Sequence, residues 1–230
     1  MEDVRDLKAS QLDAMREVAN IGAGHAATAL SGMTNRTIMI TVPRVYVRPL
    51  EEACDLVGDP NAVIAAVLMH MMGDLTGLSL VLFPERAAKT LCDFLFRREL
   101  GTTQVFGEME QSSLKEAGNI LASAYMNALS DFMGLMLVPS VPSLVIDLSG
   151  AVLTSAHLNF GHDRDYAFCV ETSFRVEGSS DPLGGHFLLL PDVSSLRSIF
   201  DAIITLRQLI PYPWVSASAQ AAAPDLTANW

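Results

Sequence analysis

A chain of 230 residues carrying 26 acidic against 15 basic side chains, for a formal charge of −11, has room for one sizeable domain or two small ones. Its lysines and arginines cluster nowhere beyond Arg97 and Arg98, which makes nucleic acid and anionic membranes poor partners and another protein the better one. Half of the residues are apolar and the mean hydropathy is +0.31, which excludes a largely disordered chain; the apolar runs at 62–72 and 134–146 are too short to span a bilayer.

In chain order, the first predicted element is a long helix from about Ser10 to Ser31, with Ser10 as its cap and Asp13 in its first turn. The β-branched stretch Thr37 to Val47 predicts an edge strand or a bulge, because Pro43 lies inside it. Val63 to His70 and Gly77 to Phe83 are apolar runs of strand length, separated by a turn at Gly73 and Asp74. Met69, Met71 and Met72 read as core filler. A helix follows from Arg86 to about Arg98.

The pattern then begins again. Glu108 to about Phe132 predicts a second long helix, and Met136 to Val145 a strand carrying Pro139 and Pro142. Ala167 to Phe174 and Phe187 to Leu190 predict further strands, and Ser194 to about Leu206 a closing helix. Residues 207–230, rich in Ser, Ala and Pro, read as a disordered tail. The recurrence predicts one domain over 8–206 built from two repeats, about 8–100 and 107–206.

The charged start MEDVRDLKAS lacks an apolar segment of signal-peptide type, so a cytoplasmic location is expected. Cys54, Cys92 and Cys169 stand far apart, and the five histidines form no ligand pair. No metal and no bound cofactor are expected.

The repeat carries a motif. Asp13, Glu17, Asn20 and Pro43 stand in the order [DS]-x3-E-x2-N-x22-P, and Ser112, Glu116, Asn119 and Pro142 repeat it 99 residues later. Two such matches by accident have a chance of roughly one in 10⁵ at ordinary residue frequencies. On a helix, Asp13, Glu17 and Asn20 fall within about 60° of one another. Gly24, Ala27 and Ser31 continue that stripe. In the second helix it runs through Ser112, Glu116, Asn119, Ser123 and Ser130, flanked by Met126 and Asn127. The opposite faces are apolar: Met15, Val18, Gly22, Ala26 and Ala29 in one helix, Leu114, Ala117, Leu121, Tyr125 and Ala128 in the other. Each helix thus offers a polar stripe with small neighbours, suited to receiving another protein's surface. His25 falls off the stripe and reads as a packing residue.

The segments DAMREVANIGAGHAATALS and SSLKEAGNILASAYMNALS resemble the paired signatures of the CheC/CheX/FliY family of chemotaxis response-regulator phosphatases, and two complete signatures in so short a chain resemble its CheC branch. The likeness runs from about residue 8 to 206, through the strand with Pro43 and the segments GDLTGLSLVLFPE and FLLLPD. It implies an α+β fold: an internally duplicated pseudo-two-fold domain with two long helices packed on one side of a mainly antiparallel sheet. It also implies an aspartyl-phosphate phosphatase acting on a phosphorylated CheY-type regulator, with the deamidase CheD as a further partner.

The chemistry fits that implication. The motif holds no credible nucleophile and no metal-ligand set, and Ser112 has no histidine near it in the pattern. A phosphorylated regulator carries its own Mg²⁺ and lysine, so what a helper must add is an aligned water. A carboxamide accepts from that water while donating to a phosphoryl oxygen; by resemblance Asn20 and Asn119 take this role, and Glu17 and Glu116 pair with the regulator's lysine. Asp13 and Ser112 read as capping or edge-contact residues, Gly24 and Ser123 as docking neighbours, and Pro43 and Pro142 as shapers of a strand end. A non-catalytic adaptor that binds the regulator or CheD is the alternative.

Overall fold

The computed structural model describes residues 9–41, 43–49, 57–159, 166–177, 183–192, 194–199 and 201–202. The element order is α1 (Ala9–Thr34), β1 (Ile38–Ile40), β2 (Arg44–Pro49), β3 (Val63–Gly73), β4 (Gly77–Pro84), α2 (Glu85–Leu95), α3 (Glu108–Met133), β5 (Leu137–Pro139), β6 (Ser143–Leu148), α4 (Ser149–Asn159), β7 (Tyr166–Val176) and β8 (Leu183–Pro191). Residues 194–199 and 201–202 are helical. The expected tail, and the end of the expected last helix, lie outside the described residues.

The fold is α+β on an eight-stranded antiparallel sheet. β4 and β8 pair at its centre, β3 flanks β4 and β7 flanks β8. The outer strands cross over. β1 and β2 pair with β7 from the far half of the chain, whereas β5 and β6 pair with β3 from the near half. Each half therefore closes the other's hairpin, and neither set of edge strands lies on its own.

The two proline-bearing stretches are each two strands rather than one. From Ile40, which faces Phe174, to Arg44, which faces Glu171, the chain advances four positions while β7 advances three. Residues 140–142 stand opposite two residues of β3 in the same way. Pro43 and Pro142 end these insertions, where a residue without an N–H costs the ladder nothing. The freed N–H groups of Thr41 and Ser140 reach Ser173 O at 3.0 Å and His70 O at 2.9 Å. Both residues thus sit at a bulge on an edge strand.

Side chains alternate between two cores. Ala65, Val67, Met69, Met71, Val81, Phe83, Phe168, Val170, Phe187 and Leu189 face α1, α2 and α3. Ile64, Ala66, Leu78, Leu80, Leu82, Leu188 and Leu190 face the other way, against Val152, Leu153 and Ala156 of α4. Burial on both faces is why β3 and β4 read as continuous apolar runs rather than alternating ones. The two long helices share one side of the sheet, as expected, and α4, for which no helix was expected, covers the other. Met69 and Met71 are core, as expected, but Met72 is 46% exposed because β3 continues to the sheet rim.

The two long helices match closely. Each has 26 residues, and their starts are 99 residues apart. Each is followed by a left-handed residue, Asn35 (φ 52°) and Gly134 (φ 65°), which stops the helix. α1 begins at Ala9, so Ser10 lies inside the helix rather than capping it, and Asp13 sits in the second turn. The helices touch at Gly22, where a Cβ would come within 2.7 Å of the Tyr125 ring. That ring stacks on Phe187 at 4.8 Å, and its hydroxyl bonds the Thr172 hydroxyl at 2.7 Å. α3 approaches the sheet at Gly118, where a Cβ would meet Val67 at 2.5 Å.

Candidate functional site

The apolar faces of α1 and α3 decide which way the motif points. Met15, Val18, Ala19, Ala23, Ala26 and Leu30 are buried in α1, and Leu114, Ala117, Leu121, Tyr125 and Ala128 in α3. The remaining arc of each helix is turned away from the sheet. On it, Asp13, Glu17, Asn20 and Gly24 are exposed. In the second copy Ser112 and Glu116 are exposed, whereas Asn119 and Ser123 are half-buried. Met126 is 1% exposed and belongs to the core rather than to the stripe's edge. His25 is exposed, so it is not the packing residue expected of it.

Each glutamate and asparagine lie one turn apart, about 4.5 Å along the axis and about 60° around it. Among the described residues no hydrogen bond or ion pair engages the side chain of Glu17, Asn20, Glu116 or Asn119. Two carboxylate–carboxamide pairs, engaged by none of the described residues, thus stand on the outward arc of two helices. Asp13 is engaged: Arg16 Nη1 donates to its Oδ1 at 2.7 Å. Ser112, which replaces Asp13 in the second copy, makes no such pair. Gly24 has open space where a Cβ would stand.

The far ends of the stripes do a different job. Ser31 Oγ donates to Ala27 O at 2.7 Å and accepts from Ile38 N at 3.0 Å. Ser130, its counterpart, donates to Leu135 O. These hydroxyls fasten each helix end to the chain that enters the next strand. Pro43 is buried and Pro142 half-buried at the two bulges, away from the exposed arc.

The loop that delivers α3 is fixed from inside. Asp93, fully buried, accepts from Thr103 N at 2.8 Å, Thr103 Oγ1 at 2.6 Å and Gly101 N at 2.7 Å. Arg98 Nη1 donates to Glu110 Oε1 at 2.7 Å in the first turn of α3, and Arg98 beside it holds the Glu110 carboxyl below its ordinary range. Burial pushes the thiol of Cys92 up to about 11 and that of Cys169 up to about 12. Both stay protonated and unreactive. Among the described residues no three His, Cys, Asp or Glu side chains group as metal ligands, and no helix is long and apolar enough to cross a membrane.

Residues that the motif did not single out also recur. Asn35 and Gly134 occupy matching caps, and a basic residue, Arg16 or Lys115, precedes each motif glutamate. The 99-residue offset is the signal that finds them.

The chain is similar to several known proteins. The family model described as CheC-like matches residues 11–47 and 109–146, the two motif segments with their following strands. The CheY-P phosphatase CheC of Bacillus subtilis is 35% identical over 199 residues, covering 86% of this chain and 95% of the relative. The flagellar motor switch phosphatase FliY of the same organism is 28% identical over 129 residues, which is 56% of this chain and 33% of that one. The crystal structure of Thermotoga maritima FliY superposes with a TM-score of 0.71 at 20% identity, covering 87% of this chain and 98% of that one, which shows a shared fold. On the strength of the CheC match across nearly its whole length, the chain belongs to the CheC-like family.

Proposed function

We propose that this chain accelerates loss of the phosphoryl group from the aspartate of a CheY-type response regulator. The observation that carries the proposal is the pair of Glu/Asn sets, 99 residues apart, on outward arcs of two helices, their side chains engaged by none of the described residues. A relative named as a CheY-P phosphatase supports the reaction class. Residues 8–206 would work as one unit of two repeats, since each half supplies the edge strands of the other.

The regulator brings the acyl phosphate, its Mg²⁺ and its lysine. Glu17 or Glu116 pairs with that lysine and sets the register of docking. Asn20 or Asn119 then accepts a hydrogen bond from a water and donates to a phosphoryl oxygen, holding the water in line with the bond to be broken. The water oxygen bonds to phosphorus, the aspartate carboxylate leaves with the electrons of its P–O bond, and the water's proton passes to the released phosphate or to solvent. The two protein groups supply position and charge rather than covalent chemistry.

The test is phosphate release from an acetyl-phosphate-labelled regulator with and without this chain. Faster release supports the proposal. Binding without faster release replaces it with the adaptor reading.

A further inference from the structure

Arg16 and Lys115 occupy the same place in the two copies, directly before the motif glutamate, and the water-orienting scheme uses neither. On the helix each basic residue lies about 40° from its asparagine and one turn before it, on the side opposite the glutamate. The carboxamide is therefore flanked by a cation and a carboxylate, with i,i+4 Cβ separations of about 5–6 Å.

The two cations differ in their surroundings. Arg16 is held by Asp13 at 2.7 Å, with side chains 54% and 56% exposed. Lys115 has Ser112 in that place, and its other helical neighbours are Gln111, Gly118 and Asn119. None is acidic. Among the described residues no ion pair or hydrogen bond engages Lys115, and the residue is half-buried.

Electrostatics gives this position a task. The chain carries a charge of −11 and sets a carboxylate beside each carboxamide, yet the group it must receive is anionic. A free ammonium next to the carboxamide offsets the neighbouring carboxylate, and a lysine binds phosphate as a point charge. An arginine already paired with aspartate does so less.

We infer that Lys115, and more weakly Arg16, contacts the phosphoryl oxygens of the docked regulator, so that this cation selects the phosphorylated form over the unphosphorylated one. The inference rests on the function proposed above. It makes the second site the more selective, because Ser112 leaves its cation free where Asp13 occupies the first.

The experiment isolates each site. Asn20→Ala leaves the Lys115 site working, and Asn119→Ala leaves the Arg16 site. KM and kcat are measured on a phosphorylated CheY-type regulator, and binding is measured on the same regulator with and without beryllofluoride. In the Asn20→Ala chain, Lys115→Met is expected to raise KM roughly five- to tenfold with kcat unchanged. It should lower the preference for the beryllofluoride form by the same factor, and Lys115→Arg should restore both. Ser112→Asp should raise KM by giving the ammonium a partner, whereas Asp13→Ser in the Asn119→Ala chain should lower it. A cation that merely packs along its helix predicts no rise in KM from Ser112→Asp and no fall from Asp13→Ser. An unchanged KM and an unchanged preference in Lys115→Met would overturn the inference. Should the wild-type chain fail to speed phosphate release, the phosphatase proposal falls and the binding arm decides the cation's role. A preference for the beryllofluoride form that Lys115→Met abolishes supports that role, and no preference refutes it.

Discussion

Two glycines of α1, two residues apart, should respond to alanine in opposite directions. Gly24 lies on the exposed arc with nothing within 4 Å of a built Cβ. Alanine there gains helix propensity and lowers the entropy of the unfolded chain, stabilising by about 0.5–1 kcal/mol. Gly22 lies on the buried arc, where the new methyl meets Tyr125 at 2.7 Å from its ring and 3.0 Å from its Cα. The ring cannot swing away, because it is stacked on Phe187 and hydrogen-bonded to Thr172. Forcing the helices apart costs typically 1–3 kcal/mol in a packed core, which outweighs the same propensity gain. We expect a net loss of about 1–2 kcal/mol for Gly22→Ala. Urea unfolding followed by far-UV circular dichroism reads both, at about 0.3–0.5 M of midpoint per kcal/mol. Midpoints shifted in the same direction would refute the argument that Gly22 is where the two motif helices meet.

Three further outcomes are expected. Asp192 accepts from Ser195 N at 2.7 Å, from Ser194 Oγ at 2.8 Å and from the Thr76 hydroxyl; burial pushes its carboxyl up, but these bonds prevail and hold it at about 2 against an ordinary 3.8. Because the folded value is the lower one, this carboxylate adds stability above about pH 4 and loses it as pH falls toward 2. Asp192→Asn should therefore cost about 1–2 kcal/mol at pH 6 after solvent screening, falling toward nothing as pH drops through and below about 2, and a pH-independent difference in urea midpoint would contradict this. Asp93→Ala should cost about 2–4 kcal/mol, since it strands the N–H groups of Thr103 and Gly101; calorimetry showing an unchanged Tm would disprove it. A CheD-type deamidase should dock off the two stripes, so a pull-down with both partners should retain both, and displacement of one by the other would count against it.

The long helices were legible because they obey one rule throughout, an apolar arc against a polar one, and because the second repeats the first. The strands β3 and β4 were legible as unbroken apolar runs. α4 was not. Its sequence, SGAVLTSAHLN, is short and rich in poor helix formers. It stands as a helix because Val152, Leu153 and Ala156 pack on the reverse face of the sheet, and because the Ser149 and Gly150 N–H groups are taken by Ala62 O and Pro60 O. Those partners are some 90 residues away in the chain, beyond the reach of local pattern. The proline breaks were anticipated, but their register could be fixed only by strand pairing across the two halves. At the site, the Glu and Asn positions stood out through repetition. The half-burial of Asn119 against the exposure of Asn20 did not, because it depends on how each helix sits on its neighbours. Met126, placed by angle at the edge of the stripe, is core because helix angle alone does not say how far the packed surface wraps around α3.

The central claim is that the two carboxamides align the attacking water, and single-turnover phosphate release by Asn20→Ala combined with Asn119→Ala tests it most directly. Loss of one positioned group should slow its own site roughly 10²-fold or more. Each single variant should keep part of the rate through the other helix, and the double variant should release phosphate no faster than the regulator alone. Binding of the regulator should persist in the double variant, because Glu17 and Glu116 remain exposed and are engaged by none of the described residues. Wild-type release by the double variant would contradict the claim.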